Sequence, residues 1–360
     1  MLGKVLAHQG RVCFTLGLTE KGVALLERSL EILRGLGARR EMVFALSSLG
    51  ENTLLQGQGK PLCLEGLAIS REIGDRVGMQ MSLFCLSRDA VLRGEYGAAQ
   101  RLCQERVAVS RELDQVLVAN SLSDLGYVAW CLGEYQQAQQ LHQQSLGLSK
   151  DMRIQYGIAM SLLRLGLDAL GLVEHGEARQ LFQESLAIYR GMGSAWFHTE
   201  VLLWQGELAN VMAQHSQAER LAQETLSLCK ELDDPYLITL CLRVWGVAAC
   251  GLGDLPKARE CFRQAVETVM TVRVAPLALL TLVGTAGLLA AEGEGQRASE
   301  LLALVVHHPA SWQWAKDRAS PLIAQLQAEL APNVWAAAWE RGQARDLEAT
   351  TGELLLELGQ

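Results

Sequence analysis

The chain has 360 residues, a net charge of -8 with acidic and basic residues interspersed, and an apolar fraction of 49%. This charge distribution argues against a dedicated phosphate-binding surface, so we expect no direct nucleic-acid partner. No uninterrupted apolar run reaches the roughly 18 residues that a bilayer-spanning helix needs, so we expect no membrane span.

The sequence repeats about every forty residues, and small residues mark the repeat. One series advances by 40, 37 and 39 residues and then by 40 at each further step: Gly10, Gly50, Ser87, Gly126, Gly166, Gly206, Gly246 and Ala286. A second series follows it, in most repeats twelve residues later: Gly22, Gly59, Ala99, Ala138, Ala178, Ala218, Ala258 and Ala298. A period of this length predicts an array of stacked supersecondary units.

Residues 118–152 show what one unit is. Leu122, Leu125 and Ala129 recur at three- and four-residue spacing, as on one face of a helix. A break at Gly133 precedes a second segment with the same spacing. Because the break is short, the two helices must be antiparallel, and the unit is predicted to be a helical hairpin whose small residues lie at the helix crossing.

We therefore predict an all-α fold, an α-solenoid of stacked helical hairpins with a C-terminal helical cap. A forty-residue unit leaves room for helices of about 17 residues, or about 25 Å. Eight hairpins are expected within residues 1–308, near 3–36, 40–74, 77–113, 116–152, 155–192, 195–232, 235–272 and 275–307. Residues 309–360 leave the period, and their four tryptophans are large enough to cover the open apolar face of the last hairpin.

The repeated unit resembles the tetratricopeptide repeat (TPR). That motif has Leu-Gly in the first helix, an apolar residue three positions later, Ala twelve after the Gly, and a bulky apolar residue four after the Ala. Three units carry it: Leu125-Gly126, Ala129, Ala138 and His142; Leu165-Gly166, Ala169, Ala178 and Phe182; and Trp245-Gly246, Ala249, Ala258 and Phe262. The departures are a period of 40 instead of 34, the polar His142 at an apolar position, and Gly22 and Gly59 where the motif has Ala. The resemblance implies a right-handed α-solenoid of TPR-like helical hairpins.

Residues 336–355, AAAWERGQARDLEATTGELL, resemble the closing segment of bacterial signal-transduction ATPases with helical-repeat sensors (STAND type), including relatives of the maltose-regulon activator. The resemblance lies in an apolar stretch, Gly342, and a short acidic segment with Leu347 and Glu348. It implies a sensor part of a longer regulator with an upstream ATPase domain and an effector domain that often binds DNA. The chain itself has no G-x-x-x-x-G-K-[ST] phosphate loop.

No catalytic motif is present: we find neither H-E-x-x-H nor G-x-S-x-G. His175 and His215 occupy equivalent positions forty residues apart, where a metal site is one interpretation and polar turn residues are the simpler one. The nine cysteines include no C-x-x-C pair, and Cys63 and Cys103 fall at equivalent repeat positions. We therefore expect that the protein is not an enzyme and binds no metal or cofactor. We also expect a cytoplasmic protein whose cysteines are reduced and buried in the core.

In the TPR family the first helix of each hairpin lines a concave groove, three residues before, one after and four after the signature small residue. From these positions we select as candidate ligand-groove residues Arg11, Glu51, Phe84, Arg88, Tyr127, Trp130, Glu207, Asn210 and Arg243. Tyr127 and Trp130 are expected on the exposed side, while Arg88 and Arg243 either contact a ligand or pair with a nearby acid. Leu163, Leu167 and Leu170 fit either a groove floor or helix packing.

The predicted function is a non-catalytic sensing or protein-interaction module. Its groove is expected to bind a peptide, a protein segment or a small effector, as the sensor part of a nucleotide-dependent signalling or transcription regulator. The alternative is a freestanding TPR adaptor or scaffold for protein complexes. An enzyme that uses Glu51 or Glu207 is poorly supported, because these acids lie four units apart with no positioned base.

Overall fold

A computed structural model describes residues 1–15, 18–54, 57–272 and 274–359. These residues form nineteen helices and, within the described ranges, no strand. The helices are α1 (Leu2–Thr15), α2 (Thr19–Gly35), α3 (Arg39–Asn52), α4 (Gly59–Ile73), α5 (Arg76–Leu92), α6 (Tyr96–Arg111), α7 (Gln115–Cys131), α8 (Tyr135–Asp151), α9 (Gln155–Gly171), α10 (His175–Met192), α11 (Ala195–Val211), α12 (His215–Glu231), α13 (Pro235–Leu252), α14 (Leu255–Val272), α15 (Ala275–Ala291), α16 (Gly295–His307), α17 (Gln313–Glu329), α18 (Pro332–Gln343) and α19 (Leu347–Leu358). The all-α prediction is confirmed.

The helix lengths agree with the forty-residue period. Helices α7, α8, α9, α11 and α12 each have 17 residues, as the period predicts. The turns between them repeat as well, because every fortieth residue from 133 to 293 has a positive φ. These residues are Gly133 (83°), Val173 (65°), Ala213 (56°), Gly253 (80°) and Gly293 (87°). One left-handed residue is thus the fixed element of the turn, and only some repeats place glycine there.

The chain forms two compact units, Met1–Val128 and Ala129–Gln360, with the boundary inside α7. We call the first helix of each hairpin inner and the second outer. In unit 1 the inner helices α1, α3 and α5 pack on one another in order, and each packs on the outer helix that follows it. In unit 2 the inner helices α9, α11, α13 and α15 do the same. Each unit is a solenoid of stacked helical hairpins.

Small residues at the helix crossings are a packing requirement. A Cβ on Gly10 would lie 2.8 Å from Leu26 Cγ and 3.0 Å from the carbonyl oxygen of Gly22. A Cβ on Gly246 would lie 2.8 Å from Cζ of Phe262. Contacts this short do not occur between real side chains, so a larger residue would push the inner and outer helices apart.

The last three helices pack on different parts of unit 2. Helix α18 packs on α16, and α19 on α14, while α17 contacts α15 and α16. Ion pairs hold α16 to α18 and α19: Glu300 accepts from Arg341 at 2.7 Å, and Arg297 pairs with Glu357 at 2.7 Å. Burial raises the pKa of Glu300, but hydrogen bonds from Arg341, Arg345 and Arg297 outweigh it and hold that pKa below its usual value.

One pair of cysteines differs from the sequence prediction. Cys63 on α4 and Cys85 on α5 form a disulfide, with their Cα atoms 6.4 Å apart. The prediction of reduced thiols is therefore wrong for these two residues, whereas seven other cysteines are free thiols. The repeat comparison aligned Cys63 with Cys103, which occupies the same position in the next hairpin. It could not show that Cys85 faces Cys63, because Cys85 lies on an inner helix at another register.

Helix α13 is the single described helix that is long and apolar enough to cross a bilayer, by length and composition alone. Its 18 residues have a mean hydropathy of 1.5, and 56% of them are buried within the protein. Arg243 lies in its middle, in an ion pair with Glu207. Burial against neighbouring helices accounts for the apolar composition, so we interpret α13 as a core helix of unit 2.

Candidate binding surface on the inner helices

In unit 1 the predicted groove residues lie on an accessible surface. Arg11, Glu51 and Arg88 are exposed, and Phe84 and Tyr127 are half-buried. We call these five residues the unit 1 inner surface. Its charged members are partly paired already, since Arg88 donates a hydrogen bond from Nη1 to Oε1 of Glu51 at 3.2 Å. Both side chains stay 51% and 41% exposed, so this pair remains open to an exchange of partners.

Aromatic rings support the guanidinium groups of this surface. The Arg11 guanidinium lies 5.7 Å from the ring centroid of Phe44 on the neighbouring inner helix. Phe84 lies between two guanidinium groups, at 5.5 Å from Arg88 and 4.7 Å from the buried Arg106. These cation–π contacts fix the direction of flexible arginine side chains. The surface therefore offers positioned charges beside apolar area, which suits recognition of a peptide.

Trp130, which the sequence analysis places on the exposed side, is fully buried in unit 2. Its Nε1 donates a hydrogen bond to the backbone oxygen of Leu167 at 3.0 Å. The rings of Trp204 and Trp312 pack edge-on against it, each with its centroid 6.0 Å away. The expected exposure is therefore corrected: the repeat register points Trp130 to the inner face, but Trp312 covers that face.

Glu207, Asn210 and Arg243 are also buried, with 2–4% of their surface exposed. Arg243 Nη2 donates to Oε2 of Glu207 at 2.7 Å, and Asn210 Nδ2 donates to the backbone oxygen of Val244 at 2.9 Å. Burial raises the pKa of Glu207, but the charges of Arg243 and Arg318 outweigh it, so the pKa lies below its usual value. The carboxylate is therefore ionised at neutral pH.

Helix α17 covers this face of unit 2. At its start, Trp312 meets Trp130, and the side chain of Gln313 lies against Gly133. One turn on, Asp317 accepts a hydrogen bond from the Tyr135 hydroxyl at 2.5 Å. Further along, Arg318 and Leu322 line a cavity together with residues of α11, α13 and α15. The positions predicted to line a groove thus hold a helix of the same chain.

The sequence pattern does not indicate this arrangement, because it predicts only that the four C-terminal tryptophans cover the last hairpin. Helix α17 buries Trp314, Ala315, Ala319 and Leu326, so an apolar face was visible in its sequence. Nothing in that face says which surface it packs against. The sequence of the inner helices did indicate a covered surface. All three predicted groove positions of one repeat are leucines, Leu163, Leu167 and Leu170, and all three are buried.

The described residues include no group of three or more His, Cys, Asp or Glu side chains arranged to hold a metal ion. His142 is buried against Asp168, with its Nδ1 2.6 Å from Oδ2 of the carboxylate. His142 occupies a position where the TPR motif has a bulky apolar residue. Its buried partner Asp168, on the inner helix α9, explains how a polar ring is accommodated there. The pKa of Asp168 is raised, because burial outweighs the effect of His142.

Comparison with known proteins places the chain among tetratricopeptide-repeat folds. The tetratricopeptide repeat family model matches residues 118–151. No curated protein matches the chain by sequence. Its helical array is similar to solved TPR-type proteins, and at the identities given below this likeness concerns the fold.

Three solved structures illustrate the likeness. A Rap protein complexed with Competence and Sporulation Factor has a TM-score of 0.65 and 11% identity, covering 99% of this chain and 97% of that one. NprR in complex with its cognate peptide NprX has a TM-score of 0.55 and 12% identity, over 88% and 98%. A STAND protein with a tetratricopeptide repeat sensor from Pyrococcus horikoshii has a TM-score of 0.52 and 14% identity, over 93% of this chain and 55% of that one.

Proposed function

We propose that the chain is a non-catalytic sensing module that binds a peptide or protein segment on its inner helices. One observation carries this proposal: in unit 2 the predicted register already holds an amphipathic helix, α17. A surface that packs a helix of its own chain has the shape and the apolar area to pack a helix from elsewhere. The division into repeats (1–308) and C-terminal segment (309–360) belongs to the same proposal.

We assign the external ligand to the unit 1 inner surface, because its residues are accessible. Arg11 and Arg88 present cations, Glu51 presents an anion, and Phe84 and Tyr127 present aromatic area. A matching segment carries one acidic side chain for Arg88 or Arg11 and at least one apolar anchor beside Tyr127. The similar folds support this class of ligand, since NprR is described with its cognate peptide.

The test uses a randomised peptide display library selected against the 360-residue chain. We expect selected peptides to combine acidic and apolar residues, and to bind Arg88→Ala and Tyr127→Ala at least tenfold more weakly than the unchanged protein. Arg101→Ala is the matched control, because Arg101 is an exposed arginine on the outer helix α6. Peptides that lose affinity with Arg101→Ala, or that keep it with both inner-surface variants, would contradict the assignment.

We further propose that this module is the sensor part of a nucleotide-dependent regulator and acts in the cytoplasm. The C-terminal motif around Gly342 and the likeness to a STAND protein with a TPR sensor support it. The gene sequence before the codon for Met1 tests this. A phosphate-loop ATPase in the same reading frame is the expected result. A gene with no such domain would instead leave a freestanding adaptor or scaffold.

A further inference from the structure

Unit 2 contains a cavity of about 160 Å³ between α17 and the inner helices. Its lining includes three charged residues, Glu207, Arg243 and Arg318, and both arginines act on the charge of Glu207. The apolar walls include Val247, Leu280 and Leu322. Arg318, which lines the cavity, is half-buried.

The charged residues of the lining carry more positive than negative charge. Two guanidinium groups, Arg243 and Arg318, face a single carboxylate, Glu207, which Arg243 binds at 2.7 Å. Arg318 makes no ion pair within 4.0 Å among the described residues and contacts the Trp314 ring at 5.8 Å. The Arg243 side chain is 4% exposed, and its Nε has no hydrogen-bond partner in the described part of the chain. A buried donor without a partner is uncommon and marks a place where a ligand acceptor fits.

The size and the walls of the cavity define the ligand further. A water molecule takes about 30 Å³ of liquid volume, so the cavity is equivalent to roughly five waters. That is enough for a carboxylate and a short aliphatic body, which the Val247, Leu280 and Leu322 side chains would surround. A multiply charged ligand fits these walls less well, because it would bury unpaired charge.

We propose that this cavity binds a carboxylate on a small aliphatic body, held by Arg243 and Arg318. The C-terminal residue of a peptide and a free short-chain aliphatic acid share this chemistry. Arg243 belongs to α13 and Arg318 to α17, so the bound carboxylate joins the two helices and stabilises α17 on the inner face. This inference extends the proposed sensing function to a second site, and it uses no residue of the unit 1 inner surface.

The experiment is isothermal titration calorimetry of the 360-residue chain with three probes. N-acetyl-leucine represents a peptide C-terminus, isovalerate represents a free acid, and N-acetyl-leucinamide lacks the carboxylate. We expect at least one acid to bind and the amide not to bind. A higher affinity for N-acetyl-leucine assigns the site to a peptide C-terminus, and a higher affinity for isovalerate assigns it to a free acid.

Two variants decide whether the arginines are responsible. Arg318→Gln should weaken acid binding at least tenfold, whereas Lys316→Gln, a half-buried cation two residues earlier on α17, should leave it unchanged. Helical circular dichroism checks that both variants are folded. No heat with either acid, equal binding of the amide, or an unchanged affinity of Arg318→Gln would overturn the proposal. None of these outcomes bears on peptide binding by unit 1, which Arg88→Ala and Tyr127→Ala test separately.

Discussion

Residues that the repeat register predicts to line the groove have different surroundings in the two units. Tyr127 and Trp130 lie on the same helix, three residues apart, yet Tyr127 is half-buried and Trp130 is fully buried. Glu51 and Glu207 occupy equivalent positions one residue after the signature glycine; Glu51 is exposed and Glu207 is 2% exposed. The repeat register predicts which way a side chain points. It does not predict what covers the side chain, and this difference determines the effect of a substitution.

Trp130→Ala should destabilise unit 2 strongly. The substitution removes a fully buried indole together with its hydrogen bond to Leu167, so we expect a loss of about 3–5 kcal/mol in the free energy of unfolding. Urea denaturation followed by circular dichroism measures this loss. Tyr127→Ala is the control and should lose clearly less, because that side chain is half-exposed. Equal losses in the two variants would show that Trp130 is not packed as described.

Glu207→Gln should remove part of the pH dependence of stability. The folded-state pKa of Glu207 lies below its ordinary 4.5, so its ion pair stabilises the protein above that pH and is lost as the pH falls through the folded value. We expect the variant to lose about 3–5 kcal/mol at neutral pH, as for a broken buried pair. The difference from the unchanged protein should shrink on acidification below pH 4.5. Urea melts across this pH range measure it, with the exposed Glu51→Gln expected to change stability by about 1 kcal/mol or less.

Val173→Gly should stabilise the protein. Val173 is 71% exposed and has a φ of 65°, in the left-handed region that a β-branched residue avoids. Glycine relieves this strain but loses more conformational entropy on folding. We expect a net rise in the free energy of unfolding of about 0.5–1 kcal/mol. The reverse exchange is Gly293→Val, at the equivalent turn, where a Cβ meets open space. It should lower the free energy of unfolding by about 1–2 kcal/mol, and a gain there would contradict the role of φ.

Among the helices, α17 combines a buried face with two weak points. Pro321 lies inside the helix and cannot donate a backbone hydrogen bond. Next to its N-terminus, Ser311 Oγ and Trp312 Nε1 are buried without a hydrogen-bond partner in the described part of the chain. Such groups lose their contacts with water and gain nothing in return. We therefore expect α17 to leave the inner face of unit 2 more readily than α13 or α15 can unfold.

Hydrogen exchange measures this opening directly. Amides of α17 should exchange faster than those of α13 and α15, through a local opening that leaves the inner helices protected. Pro321→Ala should slow the exchange of α17, because it restores a helical donor. The exposed Gln325→Ala, also on α17, should have little effect. Exchange of α17 only at the rate of α13 and α15 would show that it opens only when unit 2 unfolds.

The sequence predicted the helices well because each hairpin repeats the same physical constraints. The crossings at Gly10 and Gly246 admit no side chain, and the turns at Gly133 and Gly293 need a left-handed residue. Because these positions recur in each hairpin, they could be recognised from the sequence alone. The docking of α17 and the Cys63–Cys85 disulfide were not predictable in this way, because each depends on one contact that no other repeat copies.

In the whole molecule, the inner helices of the two units form the same kind of surface, which is covered by α17 in unit 2 and accessible in unit 1. Unit 2 holds α17 on its inner helices, and the unit 1 inner surface is accessible. We infer that α17 shows how a ligand helix lies on such a surface, and that unit 1 is where an external segment binds. The candidate residues Arg11, Glu51 and Arg88 could be selected from sequence because the register is regular. Their accessibility could not be predicted from the sequence, because it depends on where the C-terminal segment packs.

The most direct test of peptide binding by the inner helices is a hydrogen-exchange footprint of a display-selected peptide on the 360-residue chain. We expect bound peptide to slow exchange in the inner helices α1, α3, α5 and α7, and to leave exchange in the outer helices α2, α4 and α6 unchanged. The footprint should disappear with Tyr127→Ala and persist with Arg101→Ala. Protection confined to the outer helices, or a footprint that survives Tyr127→Ala and Arg88→Ala, would contradict the claim that the inner helices form the ligand-binding surface.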